Sequence, residues 1–198
     1  MGKTRILAVN GSMREACHTI ELARIAMAAA EEAGAEVQLL DLREVGLPMY
    51  EAHLDYEDQP AVQRVVETAR WADGFLVGSP EYHGSMSGAL KNWFDHLYHE
   101  LAGKLFGFFA ATGGSQGVSA VEHMRASAHY CHGWVLPYLA AAREADFDHH
   151  DHLTNAKVID RLRRLGRDVA VYAPLLRRQF LADVDVAGSF AQWHRGKV

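Results

Sequence analysis

The sequence predicts an α/β domain: a mostly parallel β-sheet with helices covering both faces. Strand-like runs recur at 5–9, 36–40, 74–78, 105–111 and 134–136, and each is followed by a stretch whose apolar residues have helical spacing. The central runs are apolar throughout and do not alternate, which suits strands buried on both sides, as parallel sheets require. No linker rich in Pro, Gly or Ser divides the chain, and no internal repeat is visible.

The elements follow in order. The run 5–9 contains Ile6, Leu7, Ala8 and Val9 and stops at Asn10-Gly11. Over 19–33, Ile20, Ala23, Met27 and Ala30 form a helical stripe, with Gly34 at a C-cap position. A second strand over 36–40 leads into a long loop, 42–59, carrying Pro48 and Tyr50. Pro60 suits a helix start, and Val62, Val65, Val66 and Ala69 give that helix one apolar face. After the third strand, Leu90, Trp93, Phe94, Leu97 and Leu101 mark the next helix. The fourth strand precedes a weaker pattern at Val118, Val121, Met124 and Ala128, and 134–136 is a short fifth strand. The last helix spans 155–172 with Val158, Leu162, Leu165 and Val169 inward. One domain is expected over 1–172. Residues 173–198 read as an arm, with Leu175, Leu176, Phe180 and Leu181 packing on the same body or on a partner subunit.

Composition narrows the function. A chain of 198 residues, 49% hydrophobic and 23% charged, matches one globular domain and excludes disorder as its main state. With 20 basic against 25 acidic residues, no basic excess exists to neutralise nucleic-acid phosphates. Cys17 and Cys131 form neither a disulfide framework nor a CxxC pair. The longest apolar stretch, 105–111, is far below the ~20 residues that span a bilayer. The run 6–9 is too short for a signal-peptide core, so a reduced, cytoplasmic protein is expected, with no membrane partner.

In an open parallel sheet, ligands bind beyond the carboxyl ends of the strands, where the winding direction reverses. The glycine-dense loops lie there. In the first, Gly11 permits a tight turn, and Ser12, Thr19 and backbone amides converge on a helix start that favours an anion. Arg14 adds a fork suited to phosphate oxygens. A plainer reading makes Thr19 a helix cap and Arg14 a surface charge. The loop is neither GxGxxG nor GxxxxGK[ST], and Asp41 reads as structural. In the third loop, Ser79-Pro80-Glu81-Tyr82-His83-Gly84-Ser85, Pro80 and Gly84 set a turn for a flat ligand. Tyr82 offers an aromatic surface and His83 a polar tip, Ser87 caps the following helix, and Lys91 and Asn92 occupy its first turns.

The segment 79–95 resembles the signature S-P-E-Y-N-G-S-x-P-G-x-L-K-N-x-x-D of the NAD(P)H-dependent FMN reductase family, a flavodoxin-like group. The first loop is similar to that family's phosphate loop, G-S-x-R-x-x-S-x-[ST]; Gly11, Ser12, Arg14 and Thr19 stand at the matching positions. The resemblance covers roughly 5–172 and implies a five-stranded doubly wound sheet of order 2-1-3-4-5. It implies that Ser12, Arg14, Cys17, His18 and Thr19 hold the FMN phosphate. Pro80, Glu81, Tyr82, His83 and Gly84 would line the isoalloxazine, with Ser79 below it. Thr112, Gly113, Gly114 and Gln116 would approach its pyrimidine side. The sequence departs from the pattern at Cys17 (usually Ser), His83 (usually Asn), Ser87 (often Pro) and after Gly117, where a doubled glycine is missing. The implied activity passes hydride from NADPH or NADH through the flavin to free flavin, quinone, azo or similar small acceptors. The flavin carries the chemistry, and no side chain is assigned to catalysis. The family is usually dimeric or tetrameric; Trp93, Phe94, Tyr98 and 175–180 offer apolar surface for a homodimer or homotetramer.

Two rival readings stand beside this one. A flavodoxin-type electron carrier would bind FMN without reacting directly with NAD(P)H, but such carriers are usually strongly acidic, and this chain has a net charge of -5. A non-flavin metal-binding protein would use Asp148-His149-His150-Asp151-His152, whose ligand types suit Zn²⁺ or Ni²⁺. That run sits in a polar connection and reads as a solvated loop, so no metal is expected. His96, His99, His123, His129 and His132 read as surface or interface residues.

Overall fold

The computed structural model describes residues 2–56 and 58–198. In chain order the elements are β1 (Arg5–Asn10), α1 (His18–Glu32), β2 (Glu36–Asp41), the one-turn α2 (Leu42–Val45), α3 (Pro60–Trp71) and β3 (Gly74–Pro80). They continue with α4 (Gly88–Asp95), β4 (Leu105–Thr112), α5 (Val118–Tyr130), β5 (Trp134–Val135), β6 (Ala140–Arg143) and α6 (Ala156–Asp183). Two 3-10 turns, Glu144–Asp146 and Phe190–His194, complete the chain.

The strands pair in parallel in the order β2-β1-β3-β4-β5, with β6 also on β4. This is the order the resemblance implies. β3 and β4 are buried at every position, so their continuous apolar runs reflect helices on both sides. On one face Ile6, Ala8, Leu76 and Phe109 meet Leu22, Ala26, Leu162 and Leu165 of α1 and α6. On the other, Leu7, Val9, Phe75, Phe106 and Phe108 meet Val65, Leu90, Trp93, Val121 and Met124 of α3, α4 and α5. Trp93 and Phe94 therefore belong to the core, and the apolar surface expected of them for subunit contact is not present.

Three elements differ from the expectation, each for a physical reason. The fifth strand position is split. Trp134 and Leu136 donate to Lys104 O and Phe106 O at 2.8 and 2.9 Å, and then Pro137, which has no N–H, interrupts the ladder. The chain rejoins β4 as β6, pairing Ala140 with Phe109; its sequence, AAAR, lacks the β-branched residues that mark strands. Helix α4 stops at Asp95, yet Leu97 and Leu101 stay buried in the turns beyond it, so their spacing reported burial without helix. Helix α6 runs through Pro174 to Asp183. Proline removes one helical hydrogen bond, and the extension is held by Phe180, buried with Ala102, Val184 and Ala191.

Helices α1 and α6 cross at Gly166, where an added Cβ would stand 1.9 Å from Ala26 O. The two backbones touch directly there. At the amino ends of the strands, buried Lys104 donates from Nζ to Ala69 O at 2.6 Å and to Arg70 O at 3.3 Å, so its amine satisfies carbonyls at the end of α3. Burial pushes this amine down to about 7.

His99 and His132, expected at the surface or at an interface, are half-buried by a contact within the chain. The Phe190–His194 turn folds back and buries His194 between them, with Nδ1 2.8 Å from His99 Nδ1 and Nε2 2.7 Å from His132 Nδ1. Each nitrogen pair accommodates one proton, so an additional proton is resisted. Burial first, then His132, His99 and Lys197, push His194 down to about 4.

Gly166→Ala should destabilise the fold by about 2–3 kcal/mol in denaturant unfolding, because the methyl has only backbone to displace. His194 has an ordinary value of 6.5 when unfolded and about 4 when folded, so the native state binds fewer protons between these limits. Stability should therefore fall as pH drops through that window and level off below it. His194→Gln should flatten the slope of thermal midpoint against pH across the window; an unchanged slope would refute this assignment.

Candidate functional site

The carboxyl ends of β1, β3 and β4 converge where the winding reverses, β1 and β3 being neighbours. Asn10 closes β1, buried, donating from Nδ2 to Asp41 Oδ1 at 3.1 Å and accepting from Ser12 N at 3.2 Å. Asp41 also accepts from Arg43 N at 3.1 Å to cap α2, which is the structural role expected of it. Ser12 Oγ accepts from Arg14 N at 3.3 Å, tightening the loop further. Helix α1 begins at His18. Its N-cap is Cys17, whose side chain makes no bond to the helix, and Thr19 lies buried in the first turn without acting as the cap.

The third loop is a two-residue reversal. Tyr82 and Ser85 exchange backbone hydrogen bonds of 2.9 and 3.0 Å, and His83 (φ +50°) and Gly84 (φ +75°) both take left-handed conformations. Such a turn favours Asn-Gly, so His83 is the strained member. His123 Nδ1, on α5, lies 2.9 Å from Ser85 Oγ and ties down the tip. Below the turn, buried Ser79 Oγ accepts from Ser87 N at 2.9 Å and donates to Pro80 O at 2.8 Å. Ser87 Oγ accepts from Leu90 N at 3.1 Å, as an N-cap should, and donates to Gly11 O at 2.6 Å. Gly11 N in turn donates to Gly78 O at 2.8 Å. Lys91 pairs with Asp95 on the exposed side of α4.

The fourth loop is braced from the third. Glu81 Oε1 bonds Ser115 Oγ, its Oε2 accepts from Ala120 N at 3.1 Å, and Thr112 Oγ1 donates to Ser115 O at 2.8 Å. The Glu81 carboxylate is thus committed to positioning the neighbouring loop.

Together these loops enclose a cavity of about 300 Å³. Of the residues expected at the site, Ser12, Arg14, Cys17, His18, Thr19, Pro80, Glu81, Tyr82, Thr112 and Gly113 line it. Ser79 lies beneath the third loop, His83 and Gly84 form the turn tip, and Gly114 and Gln116 stand further along the fourth loop. Ala16, Ala111, Glu144 and Asp151 also line the cavity and were not foreseen. The two alanines adjoin motif residues. The two acids come from the connection after β6, a strand with no sequence signal.

That connection folds against the first loop. The Phe147 ring stacks on His18 at 3.7 Å and 8°, and His18 Nε2 lies 2.9 Å from Asp151 Oδ1. Among the described residues, no group of three or more His, Cys, Asp or Glu side chains is arranged to hold a metal ion.

The model of the NADPH-dependent FMN reductase family matches residues 4–147. The chain is 31% identical to the FMN-dependent NADPH-azoreductase of Staphylococcus saprophyticus over 146 residues, covering 71% of this chain and 78% of that one. It is 30% identical to the probable NADPH:quinone oxidoreductase 1 of Oryza sativa subsp. japonica over 188 residues, covering 88% and 94%. Its fold is similar to that of the flavoenzyme NAD(P)H:(acceptor) oxidoreductase FerB of Paracoccus denitrificans, with TM-score 0.72, 18% identity, and 87% and 98% of the two chains covered.

Ser87→Ala should cost about 1–2 kcal/mol, since it removes a helix cap and leaves Gly11 O without its partner. His83→Gly should stabilise the protein by about 0.5–1 kcal/mol by relieving the left-handed strain. Both are read from denaturant midpoints; a destabilised His83→Gly variant would mean that the side chain supports the turn.

Proposed function

The chain belongs to the NADPH-dependent FMN reductase family, and from that premise we propose that the cavity beyond β1, β3 and β4 holds the FMN of an NAD(P)H-dependent oxidoreductase. The observation carrying this reading is the side-chain-uncapped start of α1, set with Arg14, His18 and Thr19 in the cavity wall. Unpaired helix amides together with a guanidinium suit a phosphate dianion.

The residues present fit FMN. Cys17 leaves the helix start without a competing side-chain acceptor, and Tyr82 is half exposed beside the cavity. Nothing stands within 4 Å of where a Cβ would sit on Gly113 or Gly114, so the fourth loop can lie close to a flat ring. In this reading Ser12, Arg14, His18, Thr19 and the Cys17 backbone hold the phosphate. Pro80, Glu81 and Tyr82 line one side of the ring, with His83 and Gly84 at the tip and Ser79 beneath. Thr112, Gly113, Gly114 and Gln116 border the pyrimidine side. Bound FMN supplies two-electron transfer between NAD(P)H and an acceptor. The chain's own residues orient and enclose the reactants: Glu81 fixes the third loop against the fourth, and Ser87 fixes it against the first. No side chain is assigned a proton-transfer role.

The acceptors named for the relatives point to a small quinone, azo compound or free flavin as the oxidant. We place the protein in the cytoplasm as a homodimer or homotetramer; exposed Tyr130, Trp134, Phe190 and Trp193 support subunit contact. Among the described residues no helix is long and apolar enough to cross a membrane. Residues 1–172 and 173–198 are read as one domain, with Phe180 as the anchor of the latter part.

The purified protein should show a flavin spectrum or take up FMN, and anaerobic NADPH or NADH should bleach it directly. Protein that stays colourless with FMN overturns the reading; flavin that no nicotinamide bleaches indicates an electron carrier. Arg14→Ala should raise the dissociation constant for FMN about tenfold or more, the size expected for losing a charge-assisted hydrogen bond. Tyr82→Ala should weaken retention as well, and unchanged flavin content in both variants would move the site elsewhere.

A further inference from the structure

The turn after Phe147 is built to present one carboxylate. Asp148 N donates to His152 O at 2.9 Å and Asp151 N to Asp148 O at 3.1 Å. The Asp148 side chain accepts from His150 N at 2.8 Å and from His152 N at 3.0 Å, and these amides, His152 first, hold its carboxyl below the usual carboxylate range. An antiparallel bridge from Phe147 to Leu153 closes the base. Asp151 sits at the tip with φ +62°, a conformation a non-glycine residue takes at a cost. From there its Oδ1 reaches His18 Nε2 at 2.9 Å, and the residue forms part of the cavity wall beside Glu144. The turn lies beyond residue 147, where the family match ends.

We infer that Asp151 is a resident anion that competes with the phosphate group of FMN for His18, and so sets how strongly the site favours the phosphorylated flavin. This rests on the cavity being the FMN site. A carboxylate that merely orients an imidazole stands behind the ring, away from the ligand. Asp151 instead stands on the cavity side, and its side chain is 70% exposed. An exposed carboxylate–imidazole pair is weak, whereas a phosphate dianion brings two charges and three acceptor oxygens to the same imidazole. Once displaced from His18, Asp151 remains in the wall, where its charge opposes the dianion. Riboflavin, which has the same ring and no phosphate, does not meet this opposition.

The test is titration of the flavin-free protein with FMN and with riboflavin, using wild type, Asp151→Asn, His18→Gln and the double variant. Asn keeps the volume and tolerates the left-handed conformation. Asp151→Asn should lower the FMN dissociation constant about three- to tenfold, the range for removing one charge several ångströms from a dianion in screened solvent. Riboflavin binding should stay unchanged, and the gain should shrink in the His18→Gln background, where the wall charge alone is removed and the competition for His18 is already absent. Weaker or unchanged FMN binding, an equal shift for riboflavin, or a gain of undiminished size without His18 would each overturn the inference. Should the wild type take up neither flavin, the FMN reading itself falls, and inorganic phosphate followed at the His18 imidazole resonances then decides the role of Asp151. Tighter phosphate binding in Asp151→Asn supports competition; equal or weaker binding overturns it.

Discussion

The site depends on a close approach at the centre of the sheet. Gly11 leaves β1 and donates to Gly78 O of β3, and Ser87 bonds Gly11 O while capping α4. None of this is possible with larger residues. A Cβ on Gly11 would stand 2.9 Å from Leu90 Cβ, and one on Gly78 would stand 2.0 Å from the Phe109 ring. Two segments far apart in sequence, one at Gly11 and one running from Gly78 to Ser87, are held within hydrogen-bonding reach, so two of the cavity's loops share one rigid base. Glu81 and Ser79 extend that base upward, one to the fourth loop and one under the third. The loops can thus be rich in glycine and still be well positioned, because their order comes from a few buried polar contacts.

What was legible in the sequence follows from the range of the forces involved. Strands β1, β3 and β4 announce themselves because burial on both faces demands uninterrupted apolar residues. The turns of the first and third loops and the Ser87 cap were legible because turns and caps need particular residue types at short spacing. The remainder is settled by contacts across the fold. Ala140–Arg143 is a strand because β4 offers it an open ladder, which its own alanines do not signal. Pro174 reads as a helix end, yet Phe180 finds a pocket one and a half turns later and the helix continues to meet it. His194 contacts two histidines more than 60 residues away in sequence, so no local pattern separates it from a surface residue.

Electrostatics divides the two ends of the sheet. At the carboxyl end, Arg14 and the start of α1 present positive character to the cavity, opposed by Glu144 and Asp151 in the same wall. At the amino end, two buried groups resist charging: Lys104 is pushed down to about 7 and His194 to about 4, burial being the first cause in each case. The first arrangement leaves room for a charged ligand to change the balance. In the second, Lys104 and His194 are already hydrogen-bonded to protein partners, and these contacts serve cohesion.

Helix α6 lies last among the long elements, yet with α1 it shields one whole face of the sheet, touching α1 backbone to backbone at Gly166. During synthesis, therefore, Leu76, Leu105 and Phe109 emerge well before Leu162, Leu165 and Val169 exist to cover them. The nascent chain must carry a sticky, half-clothed sheet until residues 156–183 have left the ribosome, which is the interval in which exposed apolar surface invites aggregation and chaperone binding. A chain cut short before that helix would carry most of the loops around the cavity and still leave one face of its sheet uncovered.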